Sequence, residues 1–457
     1  MAKLPGPVTR RRPVPSDGRG ERRGGARPQR KRSGPSEGFH QPAGGEAREL
    51  TIEAVGSRGD GTADGLFAPF TLPGERVRAR VAGDRAGFIE VLEASEERVA
   101  PSCRHFGDCG GCALQHWAGG PYLAWKAEQI RQTLARVRIE TEILPAFAAA
   151  PGTRRRLALH ARRVGGEIIL GFKAARSWRV VPIAECVVAE PRLVAALPGL
   201  AAIAEPFLEH PASAPSLHVT ATLTGLDIEV TGVEARSGSL SADARLRAAE
   251  SASRLDIARL TLAGETLYQS RVPIIAVGPA RVALPPGAFL QAVPAAEDAM
   301  AAFAVHAAAG ARKIADLYCG VGAFTFPLAA KAPVMAADVS AGAVEALARA
   351  AGSAPGLKSI SAVVRDLDRR PILAHDLTGV DVVVFDPPRA GAAAQAREIA
   401  ASTCATAIAV SCNPSTFARD ARILDDGGLR LRQVLPVDQF LWSPHIELVG
   451  MFSRNGP

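Results

Sequence analysis

Residues 316–324, Asp-Leu-Tyr-Cys-Gly-Val-Gly-Ala-Phe, decide the fold. They begin within the apolar run 314–317 and are followed by a helical pattern. A glycine loop between a strand and a helix is typical of a site that binds a nucleoside cofactor. Further short apolar runs alternate with Ala-rich helical segments, at residues 333–337, 360–364, 380–385 and 405–410, and two runs at 429–437 and 446–452 close the series. This alternation predicts an α/β fold with a doubly wound parallel sheet, whose ligands lie outside the carboxyl ends of the strands.

The loop favours one kind of cofactor. Gly320 and Gly322 form the turn, and Asp338 ends the second strand, where a carboxylate binds ribose hydroxyls. A dinucleotide loop would carry a third glycine in place of Thr325, because pyrophosphate needs a close approach to the helix. S-adenosylmethionine has no pyrophosphate, so we expect it here. Asp366, after the third strand, is expected to reach the adenine amino group, with helix capping as the alternative.

A cysteine at the rim of this sheet offers a nucleophile. Cys412 lies in Ser-Cys-Asn-Pro at residues 411–414, after the fifth strand. A thiolate that adds to carbon 6 of uracil makes the ring an enolate, and carbon 5 can then attack a methyl sulfonium. We expect the following helix and an arginine to lower the pKa of this thiol. The alternative is a buried, inert cysteine, which is our interpretation of Cys404.

Two carboxylates complete the predicted site. The proton on carbon 5 must leave before the cysteine is eliminated, and Glu447, flanked by apolar residues, is the candidate base, with His445 as its competitor. Asp386 opens Asp-Pro-Pro-Arg-Ala-Gly at residues 386–391, where a carboxylate and rigid prolines can hold a flipped base. An ordinary proline-rich turn is the alternative. These residues predict methyl transfer to a nucleic-acid base.

The net charge of +8 comes from the N-terminus. Residues 1–48 carry 12 Lys and Arg against 4 Asp and Glu, which leaves 42 of each sign in the rest of the chain. We interpret residues 1–48 as a disordered basic tail that either gathers RNA or solubilises the protein. The chain has no secretory signal and no run of about 18 uncharged apolar residues. We therefore expect a cytoplasmic protein without a membrane partner.

Two smaller domains are expected between the tail and the catalytic domain. Residues 49–100 alternate as short strands with glycine turns, which predicts a five-stranded β-barrel of the oligonucleotide-binding (OB) type. Residues 101–285 combine a helical stripe with hairpins at 157–172 and 217–230, which predicts a central α+β domain. Residues 286–457 form the catalytic domain. Five arginines of the central domain either line an RNA path or mark a solvated strand edge: Arg154, Arg155, Arg156, Arg162 and Arg163.

The seven cysteines are uneven in spacing, and without an export signal disulfides are not expected. Cys103, Cys109, Cys112 and Cys186 supply the four thiolates that a 4Fe-4S cluster requires. A zinc site of three cysteines with His105 or His116 is the alternative.

Four motifs together resemble the RNA uridine-5 methyltransferase family, which includes ribosomal and transfer RNA enzymes. They are DLYCGVGAF, FDPPRAG, SCNPSTFARD and SPHIELV, and the resemblance spans about residues 49–457. It implies a class I (Rossmann-like) methyltransferase domain with Cys412 as nucleophile and Glu447 as base. It also places a further set of residues around the cofactor and the target base, namely Gln291, Tyr318, Asp338, Asp366 and Asp386. Gln-Ala-Val at 291–293 departs from the usual Gln-Val-Asn, and Ala323 stands where a polar residue is common.

The resemblance also bears on the other domains. Members of its ribosomal branch carry an N-terminal barrel of the TRAM type and an iron-sulfur centre, which implies a 4Fe-4S cluster rather than zinc. We therefore expect a monomer that makes 5-methyluridine in RNA, with 23S ribosomal RNA as the substrate. Transfer RNA is the alternative substrate. A cytosine-5 enzyme would carry a second thiol beside the fourth strand, and a non-catalytic RNA-binding protein would be expected to lack Cys412 or Glu447.

Overall fold

The computed structural model describes residues 45–233, 240–255 and 257–454, so residues 1–44 of the predicted tail lie outside the described part. The N-terminal strands are β1 (Glu46–Thr51), β2 (Ala54–Val55), β3 (Asp60–Ala63), β4 (Leu66–Pro69), β5 (Arg76–Ala82) and β6 (Arg85–Glu93). They form one sheet in the order β1-β5-β6-β4-β3-β2. Only Ile52 and Glu53 separate the two edge strands, so the sheet curls until its edges approach. The sheet has six strands where five were expected, and β1 begins three residues before position 49.

The middle of the chain forms a second sheet. After α1 (Gly119–Arg136), β7 (Glu142–Ile143) and β8 (Phe147–Ala148) come β9 (Arg156–Val164), β10 (Glu167–Lys173), β11 (Val180–Pro182), α2 (Pro191–Ala204), a 3₁₀ helix (Glu205–Leu208), β12 (Ser216–Thr222), β13 (Gly225–Thr231), α3 (Ala242–Arg254), β14 (Ile257–Leu262), β15 (Glu265–Gln269), β16 (Ile274–Val277) and β17 (Ala280–Ala283). The second sheet has the order β11-β10-β9-β12-β13-β14-β15, and β16 pairs with β17. Helices α2 and α3 pack on one face of the second sheet.

The C-terminal elements are α4 (Pro294–Ala307), β18 (Ile314–Leu317), α5 (Thr325–Ala329), β19 (Val334–Asp338), α6 (Ala341–Ser353), β20 (Ile360–Val364), β21 (Val382–Phe385), α7 (Ala393–Ala401), β22 (Thr406–Ser411), α8 (Pro414–Asp426), β23 (Arg430–Asp438) and β24 (Glu447–Ser453). Their sheet has the order β20-β19-β18-β21-β22-β24-β23-β7. The first five are parallel, and β24 is antiparallel to both neighbours. Side chains of β21 alternate between the cores on the two faces. The predicted doubly wound α/β fold is confirmed.

Part of the segment expected in the central domain packs elsewhere. Strands β7 and β8 pair with β23 at the edge of the C-terminal sheet. Ile130 and Leu134 of α1 lie in the same core as Phe417 of α8. Residues 119–148 therefore complete the C-terminal domain, because the apolar stripe of α1 is covered by that domain.

A buried ion pair fixes α1 to the end of β23. The ammonium of Lys126 lies 2.6 Å from Asp438 Oδ1, and both side chains are almost fully buried. The hydroxyl of Tyr122 donates to Asp438 Oδ2 at 2.7 Å, and Lys126 also donates to the carbonyl oxygen of His445 at 2.7 Å. Burial lowers the pKa of Lys126 to about 8, although Asp438 opposes this effect. The network holds the segment between β23 and β24 against α1.

We expect Lys126→Met to lower the free energy of unfolding by about 3–5 kcal/mol, because Asp438 is then a buried charge without a cation. Chemical denaturation measures the change. Lys331→Met, at an exposed lysine, is the matched control and should change the free energy by less than about 0.5 kcal/mol. A similarly small change for Lys126→Met would show that the pair does not stabilise the fold.

One segment, Pro191–Leu208, is long and apolar enough to cross a membrane by length and composition. It consists of α2 and the 3₁₀ helix that follows. Leu193, Leu197, Leu200 and Ile203 form its buried side, and they pack on the second sheet. This packing is that of a core helix, and it accounts for the apolar composition.

Candidate active site

The glycine loop turns sharply after β18. Tyr318, Gly320 and Gly322 have φ angles of 61°, 53° and 103°. A Cβ at position 322 would lie 2.5 Å from the ring of Phe326, so glycine is needed there. A Cβ at position 320 would meet no atom within 4 Å, which shows that Gly320 borders open space. Asp338 accepts hydrogen bonds from the backbone N–H groups of Gly320 at 2.9 Å and Ser340 at 2.8 Å, and so fixes the loop.

Three carboxylates lie at the carboxyl ends of neighbouring strands: Asp316 on β18, Asp338 on β19 and Asp386 after β21. Asp316 is fully buried, and one of its oxygens accepts a hydrogen bond from the Thr325 hydroxyl. Within the described residues its other oxygen has no hydrogen-bond partner. Burial first, then the charges of Asp386 and Asp338, raise the pKa of Asp316 to about 7. A cationic ligand would relieve this repulsion, so the site fits the sulfonium of S-adenosylmethionine.

A narrow cleft runs beside the loop. Gln291, Tyr318, Gly320 and Asp386 line it together with Phe289. The hydroxyl of Tyr318 donates to Asp368 at 3.2 Å. Gln291 and Tyr318, which only the family resemblance singled out, thus lie beside the glycine loop.

Asp366 lies after β20 and is not among the residues that line the cleft. Its carboxylate accepts the backbone N–H of Arg369 at 3.1 Å, so it caps a turn. The described contacts are those of the capping alternative, and contact with adenine stays a prediction.

A chain of hydrogen bonds crosses the site from Asp386 to Glu447. Gln291 Nε2 donates to Asp386 at 3.0 Å. Gln439 Nε2 donates to Gln291 Oε1 at 2.7 Å and to Glu447 Oε2 at 2.9 Å, and Gln439 Oε1 accepts the backbone N–H of Ala292 at 2.9 Å. Gln439 was missed in the sequence, where the only signal was its position between Asp438, the last residue of β23, and Phe440. It orients the candidate base.

Cys412 lies directly after β22 and two residues before α8. Burial raises the pKa of its thiol to about 11, and the charges of Glu447 and Asp386 act in the same direction, while Arg389 opposes them. The expected arginine contribution is present, because Arg389 lowers the pKa, but the expected net lowering is wrong, because burial and the two carboxylates outweigh Arg389. The thiol is therefore protonated in the free protein. Cys412, Glu447, Asp386 and Arg389 are brought together at one place.

Glu447 and His445 differ in their surroundings. Glu447 is buried, and burial together with the charge of Asp386 raises its pKa. Burial, then the charges of Arg389 and Lys126, lower the pKa of His445. The His445 ring meets Phe440 edge-on with centroids 6.0 Å apart, and it lines a different cavity. The geometry favours Glu447 over His445 as the base.

The four cysteines of the predicted metal site line that second cavity. Cys103, Cys109, Cys112 and Cys186 surround a space of about 350 Å³. Burial, and to a smaller extent the charges of the other thiols, raise the pKa of Cys109 to about 11 and that of Cys112 to about 12. A cationic centre would reverse these shifts. The donor set fits a metal group bound by four thiolates.

The cysteine cavity is wide for one ion. Zinc bound by sulfurs at about 2.3 Å holds them roughly 4 Å apart. In the described ranges, no three His, Cys, Asp or Glu side chains converge closely enough to hold one metal ion. His116 is buried beside the rings of Phe70 and Phe106, and His105 Nε2 accepts the backbone N–H of Ala184 at 3.3 Å. The described contacts therefore do not support the zinc site of three cysteines with His105 or His116.

Residues 103–112, which carry Cys103, Cys109 and Cys112, form the cysteine loop. This loop leads directly into residues that are attached to the segment before Glu447. The backbone N–H groups of Ala113 and Leu114 both donate to the carbonyl oxygen of Trp442, at 2.8 and 3.0 Å. Gln439 also lines the cysteine cavity. The cysteine cavity and the candidate base are therefore parts of one packed unit.

Two arginines of the predicted RNA path have other roles. Arg155 is buried, forms an ion pair with Glu297 at 2.6 Å and donates to the carbonyl oxygen of Gln291 at 3.0 Å. Arg155 therefore holds Gln291 and cannot face RNA. Arg163, on β9, pairs with Glu205 at 3.2 Å.

Comparisons with known proteins agree on a family. The tRNA (uracil-5-)-methyltransferase family matches residues 281–455. A Caulobacter vibrioides protein described as an uncharacterized RNA methyltransferase is 63% identical over 414 residues, which cover 89% of this chain and all of that protein. The 23S rRNA (uracil(1939)-C(5))-methyltransferase RlmD of Halomonas elongata is 34% identical, with 93% of this chain and 95% of that protein covered.

A solved structure shares the fold. The Pyrococcus abyssi tRNA (uracil-54, C5)-methyltransferase, in complex with S-adenosyl-L-homocysteine, superimposes with a TM-score of 0.69. The match covers 89% of this chain and all of that chain, at 21% identity.

Proposed function

The chain belongs to the RNA uracil-5 methyltransferase family and uses S-adenosylmethionine, and from this premise we propose that it methylates a uridine of 23S ribosomal RNA through a covalent adduct with Cys412. The observation that carries the proposal is the hydrogen-bonded chain from Asp386 through Gln291 and Gln439 to Glu447, with Cys412 beside both carboxylates. It supports the proposal because Cys412, the proposed nucleophile, lies close enough to Glu447, the proposed base, for the charge of Glu447 to act on its thiol. A protein that only binds RNA would need neither.

In the proposed reaction Cys412 is the nucleophile and Glu447 is the base. When bound, S-adenosylmethionine supplies an electrophilic methyl group. Cys412 Sγ forms a bond to carbon 6 of uracil as its proton passes to Asp386, the other carboxylate beside the thiol. Carbon 5 gains electron density and bonds to the methyl group, as the bond from that methyl group to the sulfonium sulfur breaks and S-adenosylhomocysteine leaves. Glu447 then removes the proton from carbon 5, the bond from sulfur to carbon 6 breaks, and the double bond is restored.

The raised pKa values fit this sequence of steps. A thiol with a pKa of about 11 leaves few thiolates in the free protein, so proton loss must accompany attack. A carboxylate with a raised pKa is a stronger base than an ordinary one, which suits removal of a proton from carbon. Gln439 donates to Glu447 and keeps its oxygen oriented.

Ribosomal RNA is favoured over transfer RNA as the substrate. Support comes from the similarity to the Halomonas enzyme over nearly the whole chain, from the curled N-terminal sheet and from the four cysteines. The matched family and the Pyrococcus structure are named for transfer RNA, which is therefore the second candidate. We propose that the curled sheet is a barrel of the TRAM type, and that the protein is a cytoplasmic monomer.

Labelled S-adenosylmethionine tests the substrate. We expect the purified enzyme to methylate an unmodified 23S ribosomal RNA transcript at least tenfold faster than unmodified tRNA transcripts. The label should reside in 5-methyluridine after digestion to nucleosides. Preferential labelling of tRNA would contradict 23S ribosomal RNA as the substrate, but not methylation of uracil. Labelling of cytidine would contradict methylation of uracil itself.

We propose that Cys103, Cys109, Cys112 and Cys186 hold a 4Fe-4S cluster. When bound, the cluster would supply a rigid centre that joins the cysteine loop to the segment after β11 that carries Cys186. Each step of the proposed reaction moves an electron pair or a proton, so redox chemistry is not required of it. Its role would be structural.

Anaerobically purified protein should contain about four irons and four sulfides per chain. Cys112→Ser should remove the visible absorption of the cluster and most of the iron, because one thiolate ligand is lost. Cys404→Ala is the matched control, since Cys404 is buried outside the cysteine cavity, and it should keep its iron. Stoichiometric zinc without sulfide would contradict the cluster.

A further inference from the structure

One face of the second sheet carries a concentration of basic side chains. On β9 the side chains of Leu157, Leu159 and Ala161 enter the core beneath α2, so the residues between them face the other way. Register extends this outward face to the neighbouring strands, because His160 lies opposite Gly171 of β10 and Ala158 lies opposite His218 of β12. The basic residues of this face are Arg156, His160, Arg162, Lys173 and His218.

The charges of this face act on one another. His160 is surrounded by Lys173, Arg162 and His218, and after burial these three are the causes that lower its pKa to about 4. Glu229 lies opposite His218 on β13, but its carboxylate is held by Thr261 and by the backbone N–H of Gly264. Asp227 of β13 is paired with Arg259 at 2.7 Å, and Glu167 lies beside Arg162 at the other end of β10. The positive charge is therefore concentrated at Arg156 and Lys173.

An exposed tryptophan stands at the end of this face. Trp178 lies in the turn between β10 and β11 with 78% of its surface exposed. Lys173 Nζ lies 4.1 Å from the centroid of its ring, and no carboxylate in the described part of the chain pairs with Lys173. A large aromatic ring without a packed core around it is free to stack with a base.

The turn that presents Trp178 is rigid. The backbone N–H of Ala174 donates to the carbonyl oxygen of Arg179 at 2.9 Å, and Arg179 forms an ion pair with Asp108 of the cysteine loop. The N–H of Gly110 donates to the carbonyl oxygen of Lys173 at 3.0 Å. A Cβ at position 110 would lie 2.8 Å from that oxygen, so only glycine allows this approach. The cysteine loop thus holds the turn in place.

The same end of the face reaches the cofactor cleft. Lys173 lies level with position 158 of β9, because Gly171 lies opposite His160. The turn that carries Trp178 is therefore at the Arg156 end of the β9–β10 hairpin. The guanidinium of Arg156 lies 5.8 Å from the ring centroid of Phe289, and Phe289 lines the cleft. A short basic strip across β9 and β10, which contains Arg156 and Lys173, therefore connects the cleft with Trp178.

We propose that this strip, the outward face of β9 and β10 from Arg156 to Trp178, binds a single-stranded segment of the substrate RNA, with one base stacked on Trp178. The inference rests on the proposed function and adds where the RNA lies. Arg156 and Lys173 meet phosphates of the RNA, and the aromatic ring of Trp178 at the far end of the strip accepts a base of any identity. The cysteine loop then contributes to RNA binding by fixing the turn.

Trp178→Ala tests the strip by two measurements. We expect KM for an unmodified 23S ribosomal RNA transcript to rise about tenfold or more, with kcat changed less than about twofold. The reason is that Trp178 stacks on a base other than the one that reacts, so it contributes to RNA binding and not to the chemical step. The Kd for a fluorescent oligouridylate of about 12 nucleotides should rise similarly. Trp178→Phe should restore most of both, since it keeps an aromatic face.

Leu246→Ala is the matched control, because Leu246 is a large, 59% exposed apolar residue on α3, the helix layer of the opposite face. It should leave both constants unchanged. Lys173→Gln should lower the slope of log Kd against log salt by roughly 0.7, the contribution of one phosphate on a single strand. Equal melting temperatures of the variants exclude unfolding as the cause.

The outcomes separate the two proposals. Unchanged KM and Kd in Trp178→Ala would overturn the strip while methylation by the parent enzyme stands. Absence of 5-methyluridine from every RNA tested with the parent enzyme would overturn the proposed function, and the oligouridylate Kd would still decide the strip.

Discussion

Replacement of Cys412 by alanine will abolish methylation, with a loss of about 10³-fold or more, because the variant has no nucleophile to activate carbon 5. RNA that contains 5-fluorouridine makes the test specific, since fluorine on carbon 5 cannot leave as a proton. The parent enzyme with S-adenosylmethionine should form a stable protein–RNA adduct, visible as a shifted band in a denaturing gel. The alanine variant should form none.

Cys404→Ala is the matched control, because Cys404 is buried away from the carboxylates that surround Cys412. It should form the adduct at the parental rate. An adduct in Cys412→Ala would show that another residue attacks carbon 6, and the proposed mechanism would then be wrong.

Glu447→Gln should separate the two halves of the reaction. Attack by Cys412 and methyl transfer remain possible, but the proton on carbon 5 has no acceptor, so turnover should fall by about 10²–10⁴-fold. The covalent adduct should therefore accumulate with ordinary RNA. Glu345→Gln, at an exposed glutamate on α6, should leave turnover unchanged. Rapid turnover by Glu447→Gln would move the base elsewhere.

The pH dependence gives a second readout of Glu447. Burial and the charge of Asp386 raise the pKa of Glu447, so a smaller fraction is ionised at neutral pH than for an ordinary glutamate. A base acts in its ionised form, and the rate of the parent enzyme should therefore rise with pH through the neutral range. The Glu447→Gln variant should lose the part of this increase in rate that is due to ionisation of Glu447. The same raised pKa means that protonated Glu447 stabilises the fold at low pH, a contribution that is lost as pH rises through its folded value.

The sequence was most informative where local pattern and chemistry coincide. The predicted run 314–317 has the same bounds as β18, and a side chain at position 322 would clash with the ring of Phe326. Cys412 directly follows β22, as the apolar run before it indicated. These features depend on neighbours in sequence, so a reading of the chain could find them.

What the sequence concealed depends on residues far apart along the chain. Lys126 and Asp438 are 312 positions apart, and nothing local assigns α1 to the C-terminal sheet. The pKa of Cys412 depends on burial and on two carboxylates from other strands, which outweigh the helix visible beside it. Arg155 appeared to belong to a basic run, yet it is paired with Glu297 in the core. Gln439 acquires its role only through contact with Gln291 and Glu447.

The pairing of Lys126 with Asp438 has a consequence for biosynthesis. Helix α1 is made early, but its buried lysine has no counter-charge until the ribosome has added the 312 residues that separate the two partners. At about 5–20 residues per second this interval is roughly 15–60 s. During that time the apolar stripe of α1 is uncovered, and the nascent chain is open to chaperones and proteases. The core that α1 shares with the C-terminal domain can therefore close only after β23 has been made, although α1 itself was made hundreds of residues earlier.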